Sequence, residues 1–207
     1  MTIFWHGQGA FKIVEKEVVV AIDPHDKTGL KMPKFQASVL LVTDTKDEYV
    51  NSEGLRGDSF VIDGNGEYEV KNVFVYGIPA DKKDEEKITM YLIEMEGVKI
   101  AHLGTISQDT LTDKQMEILE GVDILLVPIG GGNTLDAIKA VKIISQIQPR
   151  IVIPMYYKVP GLTAKLDALE PFLKEYGVAK PEAMDKFKVS KKDLPQEETK
   201  VVVLTAT

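Results

Sequence analysis

The stretch Asp44-Thr45-Lys46-Asp47-Glu48-Tyr49 sets three carboxylates, an ammonium and a phenol directly after an apolar run, Ser38 to Thr43. Carboxylate oxygens at this density suit hard cations such as Mg²⁺, Mn²⁺ or Ca²⁺. A solvated acidic loop explains the same cluster with no ligand at all, and is the commoner case. The chain's imidazoles are His6, His25 and His102. His102 ends an apolar run and reads as packed and hydrogen-bonded, whereas His6 and His25 read as structural or exposed. There is no cysteine, which removes thiolate nucleophiles, disulfides and Cys-based zinc sites together. Gly130-Gly131-Gly132-Asn133-Thr134 precedes a helical pattern and could meet an anion at the helix N-terminus. It lacks the Walker lysine and the dinucleotide pattern, so a turn is favoured.

These residues sit in a chain of 207, 44% hydrophobic and 28% charged, ordinary for a soluble globular domain. Twenty-five Lys and Arg against 32 Asp and Glu leave a net charge of −7, which argues against nucleic acid or an anionic membrane as partner. The opening Met-Thr-Ile-Phe-Trp-His carries no signal-peptide pattern. No apolar run approaches the roughly 20 residues of a membrane span, so a cytoplasmic protein is expected. Its oligomeric state and any protein partner stay open.

The first half reads as strands: Ile3 to Trp5, Phe11 to Val14, Val18 to Ile22, Ser38 to Thr43, Phe60 to Ile62, Asn72 to Ile78, Ile88 to Glu94 and Lys99 to Leu103. Gly7-Gln8-Gly9, Gly64-Asn65-Gly66 and Glu96-Gly97 punctuate them. The second half alternates strand and helix. Thr112 and Gln115 have capping-box spacing. Thr134 is a candidate cap for a helix with Ala137, Val141, Ile144 and Ile147 on one face, and a further helix is expected from about Thr163 to Tyr176. Asp123 to Pro128, Ile151 to Met155 and Lys200 to Leu204 are the strands between and after. With no linker or repeat, residues 1–207 read as one domain of sheets sandwiched between helices.

Four ordered stretches then carry a resemblance. Trp5-His6-Gly7-Gln8-Gly9-Ala10-Phe11 with Ile22-Asp23-Pro24, Ile62 to Val70, His102-Leu103-Gly104 with Asp123 to Gly131, and Ile153-Pro154-Met155-Tyr156-Tyr157 resemble the metallo-β-lactamase superfamily. They look closest to its branch of small bacterial and archaeal metal-dependent hydrolases related to L-ascorbate-6-phosphate lactonases. The resemblance implies an α+β fold, a four-layer αββα sandwich with its active site at one edge of the paired sheets.

It also implies a pair of zinc or manganese ions, and here the sequence departs from the family pattern. Family members carry Thr-His-x-His-x-Asp-His where this chain has Thr43-Asp44-Thr45-Lys46-Asp47-Glu48-Tyr49. A further metal histidine falls near Asp81, the bridging Asp is matched by Thr105, and the last histidine by Tyr156. An ammonium such as Lys46 has no lone pair and repels a divalent cation. The first reading is therefore a degenerate zinc site in a pseudoenzyme: no metal cofactor, no catalytic residues, and a binding, scaffold or regulatory role. Its pocket would be lined by Asp44, Lys46, Glu48, Tyr49, Asp81, Thr105 and Tyr156. Lys46 would replace the metal among the carboxylates, capped by Tyr49 and Tyr156. The alternative is a metal-dependent hydrolase of a phosphorylated sugar, lactone or phosphodiester, using a non-standard metal on Asp44, Asp47 and Glu48. A third is a metal-free hydrolase with Tyr156 or Lys46 as acid or base.

Overall fold

The computed structural model describes residues 1–179 and 181–207. Alternation of apolar and polar residues builds its first strands, as in β2 (Phe11–Glu15), where Phe11 and Ile13 are buried and Lys12 lies between them. With β1 (Thr2–Trp5), β3 (Val18–Ile22), β4 (Val39–Leu41), β5 (Phe60–Ile62) and β12 (Phe187–Lys188) it forms a six-stranded sheet ordered β12-β1-β2-β3-β4-β5. β4 is apolar throughout because it is covered twice. Val39 and Leu41 face the second sheet, while Leu40 packs with Ala21 and Ala37 under Phe35 and Leu55.

The second sheet has seven strands, β13-β11-β10-β9-β8-β7-β6. β6 (Gly66–Val70), β7 (Val73–Asp81), β8 (Lys87–Met95) and β9 (Val98–His102) run as an antiparallel meander. β9, β10 (Ile124–Pro128), β11 (Ile151–Met155) and β13 (Lys200–Val201) are parallel, with crossovers that carry the helices. The two sheets face each other across a shared core, and Tyr91 on β8 ties them by sharing its hydroxyl proton between Val42 O (2.8 Å) and Ile62 O (3.0 Å) on the other sheet. This is the αββα sandwich.

Helix α1 (Asp113–Ile118) opens with the expected capping box of Thr112 and Gln115. Helix α2 (Ala137–Ile147) buries Ala140, Ile143, Ile144 and Ile147, but its cap is Asp136, which accepts Lys139 N. Thr134 instead donates to Ile106 O at 3.1 Å. Helix α3 (Leu169–Tyr176) is shorter than expected. Residues before it spend their backbone on other loops: Thr163 N on Thr28 O, Asp167 N on Gly130 O. Among the described residues no helix is long and apolar enough to cross a membrane.

Candidate functional site

The loops that leave β1, β4, β7, β9, β10 and β11 converge at one edge of the paired sheets, where a rigid scaffold commonly carries chemistry. Asp23, just past β3, pins the start of the acidic loop. Its Oδ1 accepts Thr43 N at 2.8 Å and its Oδ2 meets Thr43 Oγ1 at 2.6 Å. Burial pushes the Asp23 carboxyl up to about 7 against those bonds, and the nearby charges of Asp47 and Asp44 add to the rise. Asp44 follows, its side chain 6% exposed; Oδ1 accepts Lys46 N at 2.9 Å and Oδ2 accepts Lys82 Nζ at 2.6 Å. Asp47 is half-buried, accepts Tyr49 N, and is raised by that burial above its ordinary value.

Above this floor opens a cleft of about 640 Å³, walled by Lys46, Asp47, Lys82, Thr105, Gly131 and Tyr156 among others. Thr105 Oγ1 is buried with no hydrogen-bond partner within the protein, an arrangement that costs free energy. Tyr156 sits at φ 50°, an uncommon conformation for a large side chain and one found where structure over-determines it. Two glycines make its room. A Cβ on Gly130 would stand 2.0 Å from Tyr156 O, and one on Gly9 2.6 Å from Tyr156 Cε2 and 2.7 Å from its hydroxyl. Gly9→Ala therefore displaces the ring and is expected to lower stability by about 1–3 kcal/mol in urea melts; an unchanged midpoint would show that the ring is not held there. Burial, then the charges of Asp23, Asp47 and Asp44, keep the Tyr156 phenol protonated well above its ordinary range.

His102 lies beneath, fully buried. Its Nε2–H donates to Gly9 O at 2.9 Å and its Nδ1 accepts Gly104 N at 3.1 Å. Burial lowers it to about 4, so it is neutral and structural. His25 is buried between His6 O and the Thr28 hydroxyl, and His6 contacts Thr207 O through Nδ1. Neither histidine lines the cleft.

Of the sequence-derived pocket residues, Lys46, Glu48, Tyr49, Thr105 and Tyr156 line the cleft and Asp44 forms its buried floor. Asp81 does not join them; it is exposed and paired with Lys87 across the β7–β8 register. Lys46 is exposed too, and touches Asp44 only through its backbone N–H. The cation on Asp44 is Lys82, which sequence reasoning missed, as it missed Lys165 on the cleft's far wall. Lys82 directly follows Asp81, and in an extended chain that single step reverses the direction of the side chain.

Among the described residues no group of three or more His, Cys, Asp or Glu comes together to hold a metal. With both Asp44 oxygens already engaged, this donor set does not fit a pair of zinc ions.

A family profile described as the β-lactamase superfamily domain matches residues 2–156, and the chain belongs to that superfamily, in its metallo-β-lactamase division. A UPF0173 protein of Pyrococcus abyssi is 29% identical over 184 residues, covering 78% of this chain and 85% of its own. A UPF0173 metal-dependent hydrolase of Thermococcus onnurineus is 27% identical, covering 73% and 82%. The crystal structure of a candidate Zn-dependent hydrolase from Thermotoga maritima superposes with a TM-score of 0.79 at 28% identity, over 98% of this chain and 97% of that one. These relatives correct the first sequence reading. Proteins alike over most of this chain are named metal-dependent hydrolases, which supports neither a pseudoenzyme with a degenerate site nor the expectation of no metal cofactor. The first reading ranked an oxygen-ligated metal on Asp44, Asp47 and Glu48 second because the family's histidines are absent, although oxygen donors serve hard cations.

Proposed function

We propose that this chain is a hydrolase of a small anionic substrate, a phosphorylated sugar, a lactone or a phosphodiester, working with a hard divalent cation on Asp44 and Asp47. The observation that carries it is the unpartnered, buried Thr105 hydroxyl on the wall of a cleft that also presents Lys46 and Lys165. Neither lysine has an ion pair among the described residues, so their charge is available to a substrate anion in a chain that is acidic on balance. One or two carboxylates suffice for Mg²⁺ when substrate oxygens complete the shell. Such a cation supplies polarisation of the substrate oxygen. The chain's own groups do the rest: Lys46 and Lys165 offset the anion, Thr105 binds an oxygen, and Tyr156, kept protonated, donates to the leaving group.

Turnover of an aryl phosphate monoester, a phosphodiester and a lactone, each with EDTA, Mg²⁺ or Mn²⁺, tests this. Cation-dependent turnover of at least one is expected, with Tyr156→Phe lowering kcat by about 100-fold. No cation-dependent turnover of any of the three overturns the proposal, and full activity of Tyr156→Phe removes the tyrosine from it.

A further inference from the structure

Gln8 is the middle residue of the Gly7-Gln8-Gly9 turn between β1 and β2, and it holds a left-handed backbone, φ 47°, although it carries a long side chain. Glycine takes that conformation without strain, and a strained residue persists only where its surroundings over-determine it. Here Ala10 N closes the turn on Gly7 O at 2.9 Å, while Gln8 O accepts Trp5 Nε1 at 2.9 Å and Tyr156 N at 3.2 Å. Those bonds engage only the backbone. The residue is 7% exposed and lines the cleft beside Tyr156, and its side-chain amide has no hydrogen bond within the protein.

Buried polar side chains elsewhere in the fold are paired: His25 with Thr28, Thr43 with Asp23, Gln115 with Pro79 O. Among the described residues, Gln8 and Thr105 are the buried polar side chains that make no hydrogen bond, and both line this one cleft. An amide offers a carbonyl acceptor and an NH₂ donor, and a hydroxyl offers both functions on one atom. An ionised phosphate only accepts, as does a carbonyl, so either leaves Gln8 Oε1 without a proton. An alcohol both gives and takes a hydrogen bond, and so matches the two side chains. Lys46 and Lys165 are then left for the anion.

We infer that Gln8, with Thr105, is the specificity element of the cleft: the two side chains bind hydroxyl groups, so the substrate is a phosphorylated polyol or sugar and not a bare phosphodiester. This rests on the reading of the cleft as the site of a small anion, and narrows it. The cleft, about 640 Å³, has room for such a molecule. A site that pairs a substrate hydroxyl rejects the analogue lacking it, because its own polar groups then stay buried and unpaired. Gln8 touches the hydroxyls and not the reacting bond, so its loss raises KM for a hydroxylated substrate and leaves kcat nearly unchanged.

Titration with α-glycerol phosphate and with propyl phosphate in EDTA, followed by phosphorus NMR, reads this without turnover. The two ligands share charge and chain length and differ in their hydroxyls. Wild type should bind glycerol phosphate about tenfold tighter than propyl phosphate. Gln8→Met keeps an unbranched side chain of similar length and loses the amide; it and Thr105→Val should each cut that preference to about threefold or less. Gln8→Asn suits the left-handed turn better and holds its amide one carbon short, so it should lose the preference as well. Lys165→Met should weaken both ligands by the same factor. Circular dichroism of each variant establishes that it is folded. Equal affinity for the two ligands in wild type overturns the inference, as does binding of neither, and so does a preference that survives in both Gln8 variants. A Gln8-dependent preference with no hydrolysis of any test substrate leaves the hydroxyl site standing and removes the proposed activity. Cation-dependent turnover with ligand affinities indifferent to Gln8 does the reverse.

Discussion

Replacing Asp23 by Asn makes stability climb with pH between about 4 and 6.5, a range over which the wild type stays nearly level. Two buried groups oppose each other there. Asp23 is raised from 3.8 to about 7, chiefly by burial. The folded chain therefore keeps a proton that the unfolded chain releases, and stability falls as pH rises through that interval. His102 is lowered from 6.5 to about 4, again by burial. The unfolded chain takes up a proton that the folded one refuses, so this contribution is complete above 6.5 and lost as pH falls toward 4. At 1.36 kcal/mol per pKa unit the Asp23 contribution is about 4 kcal/mol and the His102 contribution about 3 kcal/mol, opposite in sign.

Asn at position 23 keeps an oxygen for Thr43 N and removes the titrating carboxyl. Of the two opposing groups only His102 then remains, whose protonated ring would turn an N–H toward Gly104 N–H. Urea unfolding of Asp23→Asn across the range should show a rise of about 3 kcal/mol. His102→Gln should show the mirror image, a fall toward neutral pH. Level profiles for both variants would mean that neither group is buried in its ionised form's disfavour.

The strands were legible because burial imposes period two. Phe11 and Ile13 alternate with Lys12 on β2, and the unbroken apolar stretch of β4 states that both its faces are covered. Helix ends were less so. Asp136 caps α2 in place of Thr134, since two plausible caps in three residues are decided by where the chain turns. Leu166, Leu169 and Leu173 have helical spacing, yet the backbone before residue 169 bonds to Thr28 and Gly130, partners far away in sequence. The acidic loop stood out by its place after an apolar strand, and Tyr156 through the family resemblance of Ile153 to Tyr157. Asp23 was visible only as part of an Asp-Pro turn, because its burial depends on how the second sheet closes over it.

Lys82→Ala, measured in EDTA, is expected to cost on the order of 3 kcal/mol, and Lys46→Ala less than about 1 kcal/mol. The two lysines exchange the roles that local spacing suggested. Lys46 is two residues from Asp44, which made it the natural cation for that carboxylate, but the loop directs its side chain to solvent and lends only its N–H. Lys82 is 38 residues away and reaches Asp44 because β8 and β4 bring their ends together, with Thr89 N donating to Thr43 O at 2.8 Å. Removing Lys82 leaves Asp44 buried with one N–H bond and no counter-charge, beside Asp47 and Asp23. A stranded buried carboxylate is destabilising by several kcal/mol. The ammonium's 18% exposure and its second partner Glu86 keep the expected loss at the low end. Removing Lys46 strands nothing. Denaturant melts of the two variants side by side decide it: equal small losses would show that Asp44 does not depend on Lys82.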